Sequence, residues 1–369
     1  MKLPRVVIAG GGTGGHVFPG LAVADAIRAI ADVDVVFVGS PRGMEKDIVP
    51  ARGYALELVD VAPLKGGGLW RASTGAMIAG RETMRSLGLV RRLHPNVVMS
   101  VGGYSAGPVS LAAAISGVPL AVLEPNALMG LANRWLAPLA RRIYVAWPEA
   151  ANRKSALHVG VPIRAAFSPR KYVAGTRRRV LVMGGSLGAE AINERIPEAI
   201  ARIGSNIEIV HQAGRDRDAR VREAYERLGV KNARVSPFLD DVAGELAACD
   251  LVVARAGAVT IAEIAAVGRA ALLIPFPHAA DDHQAKNAAA LATAGGAIWI
   301  RQNEADTGRL AKEIKALLAD DARRTTMADA ARRAGKPDAA ERIARDLADL
   351  GGITLRTERT NGTSRPEAN

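Results

Sequence analysis

Two stretches of the chain, about half its length apart, share one pattern of apolar and polar positions. Arg5-Val-Val-Ile-Ala9 is an apolar run that meets Gly10-Gly-Gly-Thr-Gly-Gly15 and then an alanine-rich stretch of helical spacing, Gly20 to Ala31. Arg179-Val-Leu-Val-Met183 meets Gly184-Gly-Ser-Leu-Gly188 and a second such stretch, Ala189 to Ile203. An apolar strand, a glycine turn and a helix open a doubly wound α/β unit. Short apolar runs continue at Val33 to Val38, Val97 to Val101, Leu120 to Leu123 and Arg142 to Val145. In the second half they recur at Ile207 to His211, Leu251 to Ala254, Ala270 to Ile274 and Gly296 to Ile300. Runs this short, separated by helical stretches, predict parallel sheets covered on both faces. The reading is two Rossmann-like domains, 1–163 and 164–336, meeting near Val161-Pro-Ile-Arg164. An amphipathic helix over 337–350 is expected to pack back on the first domain, and 351–369 reads as a polar, disordered tail.

Composition narrows the class. The 369 residues are 49% hydrophobic and carry 49 Lys+Arg against 37 Asp+Glu, a formal charge of +12, with 4% aromatic residues. That excludes disorder of the whole chain and suits two cores. One cysteine, Cys249, excludes a disulfide framework and a cysteine-rich metal centre and points to a reducing compartment. No apolar run approaches the roughly 18 residues that span a bilayer. The positive charge fits nucleic acid, an anionic membrane, a phosphorylated substrate or nothing beyond solubility, but few aromatics and no stacking motif speak against nucleic acid. The stretch Leu64-Lys-Gly-Gly-Gly-Leu-Trp70, followed by Met77-Ile78 and arginines 71, 81, 85, 91 and 92, suits an anionic membrane surface and equally an ordinary amphipathic helix.

Candidate chemistry gathers at strand ends. The first glycine turn contains G-x-G-x-x-G, but no acid ends the second predicted strand to hold a ribose, so a nicotinamide cofactor is disfavoured. His16 follows that turn at once and is a candidate general base. In the second half, Gly184 to Gly188 with Ser186 and the turn Arg255-Ala-Gly257 before Ala258 offer two phosphate cradles, with Thr260 near one of them. Glu263 suits ribose hydroxyls, and Asn126 and Gln284 suit a sugar. Asp216, Asp218, Asp281, Asp282 and His283 lack the spacing of a metal site and read as solvated surface.

Taken in order, Gly10-Gly-Gly-Thr-Gly-Gly-His16-Val-Phe-Pro-Gly20, Gly102-Gly-Tyr104, Glu124-Pro-Asn126, Gly184-Gly-Ser-Leu-Gly188, Phe238-Leu-Asp-Asp241, Arg255 to Glu263 and Gln284 resemble the MurG family, glycosyltransferase family 28. The resemblance implies a GT-B fold and an inverting transfer of N-acetylglucosamine from UDP-N-acetylglucosamine to undecaprenyl-pyrophosphoryl-MurNAc-pentapeptide (lipid I), giving lipid II of peptidoglycan. It implies a peripheral enzyme on the cytoplasmic face of the inner membrane, with no cofactor. By motif, Thr13, Gly14 and Gly15 would line the donor sugar and diphosphate, and Asn126 and Gln284 would reach the sugar. Arg164 and Ser186 would meet the nucleotide and its phosphates, and Leu239 would hold uracil through its backbone. Ala258, Val259, Thr260, Ile261, Ala262 and Glu263 would bind phosphate and ribose. Two other readings stay open: another GT-B enzyme such as a UDP-N-acetylglucosamine 2-epimerase, and a non-catalytic sugar-nucleotide-binding membrane protein.

Overall fold

The computed structural model describes residues 2–59, 69–103, 105–150, 153–175, 178–185, 188–204 and 207–356, without the side chains of 69–80 and 149. Two parallel sheets organise them. The first contains β1 (Arg5–Gly10), β2 (Asp34–Gly39), β3 (Ala55–Leu58), β4 (Val97–Gly102), β5 (Leu120–Glu124), β6 (Arg142–Val145) and β7 (Ala156–His158), in the order β3-β2-β1-β4-β5-β6-β7. The second contains β8 (Arg178–Met183), β9 (Ile207–Gln212), β10 (Ala233–Ser236), β11 (Leu251–Ala254), β12 (Ala271–Leu273) and β13 (Ala297–Trp299), in the order β10-β9-β8-β11-β12-β13.

Helices α1 (Gly14–Ile30), α2 (Glu45–Ala51), α3 (Leu69–Leu93), α4 (Ala106–Ile115) and α5 (Leu131–Leu136) belong to the first sheet. Around the second lie α6 (Glu190–Ile203), α7 (Asp218–Arg227), α8 (Val242–Ala248), α9 (Ala258–Val267), α10 (His283–Thr293), α11 (Thr307–Ala319) and α12 (Asp321–Ala334). Strands β1, β4 and β11 are buried almost throughout, the state their unbroken apolar runs require between two helical layers. Helix α1 begins at Gly14, a turn and a half before the predicted start at Gly20, so His16 lies in its first turn.

The last helix, α13 (Ala339–Leu350), returns to the first domain. Its Ile343, Ala344, Leu347 and Ala348 are buried in one cluster with Val23, Ala24 and Ile27 of α1. Asp346 accepts from Tyr144 Oη at 2.7 Å and from Arg142 Nε at 3.0 Å. Each fully buried large aliphatic side chain contributes about 1.5–3 kcal/mol, so Ile343 and Leu347 secure the docking. Residues 351–356 depart from the disordered tail the sequence suggests. Ile353 joins that same core, Leu355 bridges Ala31, and Arg356 donates its backbone N–H to Ile30 O. The remainder of that tail, 357–369, lies outside the described residues. The two crossings between domains touch: a Cβ on Gly160 (φ +91°) would lie 2.5 Å from Cβ of Lys336.

Candidate functional site

Each sheet reverses its winding once, between β1 and β4 and between β8 and β11. Connections leave such a point in opposite directions and open a crevice at the strands' carboxyl ends. The crevices face each other, because α1 packs near α9 and the loop after β5 meets α10. Ala258, with the half-buried Val259 and Ala262, packs against Ala146, Trp147 and Val161, so the side chains of early α9 join the domains while its backbone is left for the cleft.

In the first crevice two glycine turns pass backbone to backbone. A Cβ on Gly10 (φ +141°) would stand 2.3 Å from Gly102 O, and one on Gly103 (φ +88°) 2.5 Å from Gly11 O. Such approaches and dihedrals admit only glycine. Glu45, which the sequence reading passed over, is buried beneath them. It accepts from Gly12 N and from Ser40 N, each at 2.7 Å. The N–H of Gly12 in the glycine fingerprint is therefore taken by the chain's own carboxylate rather than left for a ligand. Gly11, Gly39 and Gly43 all lie against this side chain, and a Cβ on any of them would come within 2.4 Å of it. Three glycines around one glutamate were the legible signal.

Thr13 ends the turn and caps α1 without using its side chain on the helix. Its Oγ1 lies 3.3 Å from His16 Nδ1, and a Cβ on Gly102 would reach within 3.1 Å of His16 Nε2. Burial lowers the His16 pKa below its usual value. The Gly11 backbone and the Glu45 carboxylate oppose that shift, and His283 across the cleft adds to it. The ring is thus neutral at neutral pH and able to accept a proton. Thr13 and Gly15 are exposed and Gly14 half-buried at the open N-terminus of α1.

Glu124 organises the loop after β5. Its Oε1 accepts from Asn126 N at 2.9 Å and Nδ2 at 3.1 Å, and its Oε2 from Gly130 N at 2.8 Å and Asn133 Nδ2 at 2.9 Å. Asn126 in turn accepts from Asn287 Nδ2 of the second domain at 3.1 Å.

In the second crevice α9 starts at Ala258 behind Gly257, with no side-chain cap and no acid in its first turn. Its first N–H groups and the positive end of its dipole are left for an anion. Ile261 donates its N–H to Gly257 O, and Thr260 stands over the same glycine. Glu263, one turn in, has a side chain 14% exposed, 3.9 Å from Arg164 Nη2. Burial raises its pKa to about 7, against the pull of Arg164. The Arg164 guanidinium also lies 5.1 Å above the Phe167 ring. Gln284 accepts through Oε1 from Ala256 N at 3.2 Å and Phe276 N at 3.0 Å. Two N–H donors fix its amide orientation and turn the NH2 outward. Arg255, buried, donates to Ile274 O and Pro275 O and to Gln302 Oε1, bracing the loop that carries Phe276. Leu239 is half-buried beside α8.

The other glycine turn is equally constrained: a Cβ on Gly188 (φ +71°) would meet Ala213 O at 2.5 Å. Ser186 lies outside the described residues, as do Tyr104 and residues 60–68. Asp281 and Asp282 lie on the surface, with side chains about half exposed, hold positive φ (51° and 54°), and pair with Arg134 across the domains and with Arg301. Among the described residues no group of three His, Cys, Asp or Glu side chains is placed to hold a metal ion.

Comparison with known proteins gives one answer along the chain. Residues 6–145 match the profile of the glycosyltransferase family 28 N-terminal domain and residues 179–343 that of its C-terminal domain. A relative from Sorangium cellulosum, named UDP-N-acetylglucosamine–N-acetylmuramyl-(pentapeptide) pyrophosphoryl-undecaprenol N-acetylglucosamine transferase, is 52% identical over 94% of this chain and 88% of its own. The crystal structure of Acinetobacter baumannii MurG superposes with a TM-score of 0.80 at 30% identity, covering 94% of this chain and 99% of that one. A UDP-N-acetylglucosamine 2-epimerase shares the fold alone, with a TM-score of 0.63 at 16% identity over 95% of this chain and 97% of its own.

Proposed function

This chain belongs to glycosyltransferase family 28, and from that membership we propose that it transfers N-acetylglucosamine from UDP-N-acetylglucosamine to the lipid-linked MurNAc-pentapeptide, converting lipid I to lipid II. The observation that carries the reading is the pairing of His16, neutral at the first-turn end of α1, with the uncapped N-terminus of α9 and Glu263 across one cleft.

In this reading the second domain takes the nucleotide. Backbone groups near Leu239 hold uracil, Glu263 accepts from the ribose hydroxyls, and the N–H groups of Ala258 to Thr260, with Arg164 and Ser186, meet the diphosphate. Thr13, Gly14 and Gly15 close on the diphosphate from the first domain. Asn126 keeps one N–H beyond its bond to Glu124, and Gln284 presents its NH2; both serve the sugar. The acceptor hydroxyl attacks the anomeric carbon on the face opposite UDP, by analogy with one-step inverting glycosidases. His16 takes the hydroxyl proton, and the helix N-terminus and Arg164 stabilise the departing diphosphate.

A lipid-linked acceptor calls for contact with the membrane. Among the described residues no helix is long and apolar enough to cross one. On the first domain, Leu131, Trp135 and Leu139 leave an apolar stripe exposed on and after α5, with Trp135 74% exposed, while α3 exposes Met84 among Arg81, Arg85 and Arg92. Both support an anionic membrane surface as a partner, with the enzyme peripheral on the cytoplasmic face. The deciding experiment incubates labelled UDP-N-acetylglucosamine with lipid I in detergent: labelled lipid II and UDP appear together. Donor consumed without acceptor would select an epimerase, and donor bound but unchanged a silent binding protein.

A further inference from the structure

The buried amide of Asn287 belongs to no role assigned above. It sits in α10 of the second domain, fully buried, yet its bonds run mainly to the first. Oδ1 accepts from Ala127 N at 2.8 Å, and Nδ2 donates to Asn126 Oδ1 at 3.1 Å. A longer contact, 3.4 Å, runs from Nδ2 to Ala256 O, in the turn that precedes α9.

The orientation of each amide in this chain is dictated by the one before it. Glu124 is a carboxylate and only accepts, so the NH2 of Asn126 must face it and the Asn126 oxygen must face away. That oxygen needs a donor, which Asn287 supplies with its NH2. The opposite end of the Asn287 amide is then an acceptor, and the N–H of Ala127 stands there to meet it. Four residues thus fit only when the two domains stand as they do here. The exposed Arg134–Asp281 pair on the same side adds little by comparison.

We infer that Asn287 is a positioning residue for the transfer reaction: it locks the sugar-facing loop of the first domain to the phosphate-facing turn of the second, so that the donor sugar site is complete only in the closed arrangement. This rests on the function proposed above. Asn287 itself does not touch the reacting atoms; it holds Asn126 and the Ala256 turn at a fixed separation. Ligand parts that contact the second domain alone are indifferent to the lock, and parts that span the cleft are not.

The test compares four variants, Asn287→Asp, Asn287→Ala, Asn126→Ala and the double alanine variant, with the wild-type enzyme, whose formation of lipid II separately checks the underlying function. Asn287→Asp keeps the shape and the acceptor toward Ala127 but sets an oxygen against the Asn126 oxygen; Asn287→Ala removes both bonds. Binding of UMP, which reaches only the second domain, is expected within about twofold of wild type in both variants. Affinity for UDP-N-acetylglucosamine and kcat together are expected to fall about 10- to 100-fold, the effect of leaving one buried polar group unpaired. Asn126→Ala costs its own sugar contact in either background, but it lowers affinity less on top of Asn287→Ala than in the wild type, because the contact between the two is then already lost. The inference is overturned if the Asn287 variants keep wild-type kcat and KM, if UMP binding falls as far as donor binding, or if the double variant shows the full sum of both losses. Equal loss for UMP with a lowered Tm would assign Asn287 to the stability of α10 instead.

Discussion

Glu263 makes donor binding depend on pH in a direction the structure sets. Its carboxyl is mostly buried one turn into α9, and burial lifts its pKa from 4.5 to about 7. Holding the proton to that pH corresponds to roughly 3 kcal/mol against ionisation in the free protein. Ribose hydroxyls donate, so they are held best by the carboxylate. With a pKa near 7, about a tenth of the molecules carry the anion at pH 6 and about nine tenths at pH 8. Apparent affinity for UDP-N-acetylglucosamine should therefore rise about tenfold over that range, with a proton released on binding. The donor suits the assay because its diphosphate is esterified at both ends and does not itself titrate there. Calorimetry in two buffers of different ionisation enthalpy reads affinity and proton release together. Glu263→Gln should abolish the slope and converge with wild type near pH 6. In the free protein the linkage runs the other way. The native state holds this proton more tightly than the unfolded chain, so the contribution to stability is complete below about 4.5 and is lost as pH rises toward 7. Affinity that is flat from pH 6 to 8, or a Glu263→Gln variant that keeps the slope, would refute the ribose role.

Four further outcomes are expected. His16→Ala should lower turnover about 10²- to 10⁴-fold at saturating acceptor while donor affinity stays within a few-fold; near-normal turnover would remove His16 as the base. Gly10→Ala, forced against Gly102 O, should cost well over 2 kcal/mol in thermal unfolding. Gly53→Ala, at φ +73° with open space around its Cβ, should cost only about 1 kcal/mol. His211 is buried between Tyr225 Oη and Asn193 Oδ1, and burial lowers its pKa to about 3. The unfolded chain takes up this proton first, so stability falls as pH drops from about 6.5 toward 3, and His211→Gln should be less acid-labile in denaturant titrations. Binding to anionic vesicles should weaken with salt through the α3 arginines, whereas Trp135→Ala should weaken it at every salt concentration; binding indifferent to both would put the membrane contact elsewhere.

The strands that the apolar pattern missed share one position. β3, β7 and β10 are edge strands, with partly exposed residues and only one hydrogen-bonded neighbour. An edge strand needs no continuous apolar run, so Ala55-Leu-Glu-Leu58 carries no signal comparable with Val97 to Val101. The start of α1 was missed for a different reason. Gly14 and Gly15 are poor helix formers by themselves, and they are helical because Thr13 and the packed glycine turns fix the entry of the chain.

At the site, residue types were legible and partnerships were not. His16, Glu263 and Gln284 stood out through their company, each beside a glycine turn or strand end that carries other polar candidates. Glu45 did not, and Glu124 and Asn287 were legible only as polar neighbours of Asn126 and Gln284, since the importance of all three lies in what they reach: Gly12 N and Ser40 N, four donors around one loop, and a backbone N–H 160 residues away. By itself the sequence determined two doubly wound domains, the four glycine turns, and the family those motifs resemble, because strand burial and backbone clearance are written locally as runs of apolar residues and glycines. That Glu45 fills the first glycine turn, that α13 and Ile353 close the first domain, and that one asparagine joins the two halves of the cleft emerge only in the packed chain. Those outcomes depend on distances between segments remote in sequence, and no local pattern encodes a distance.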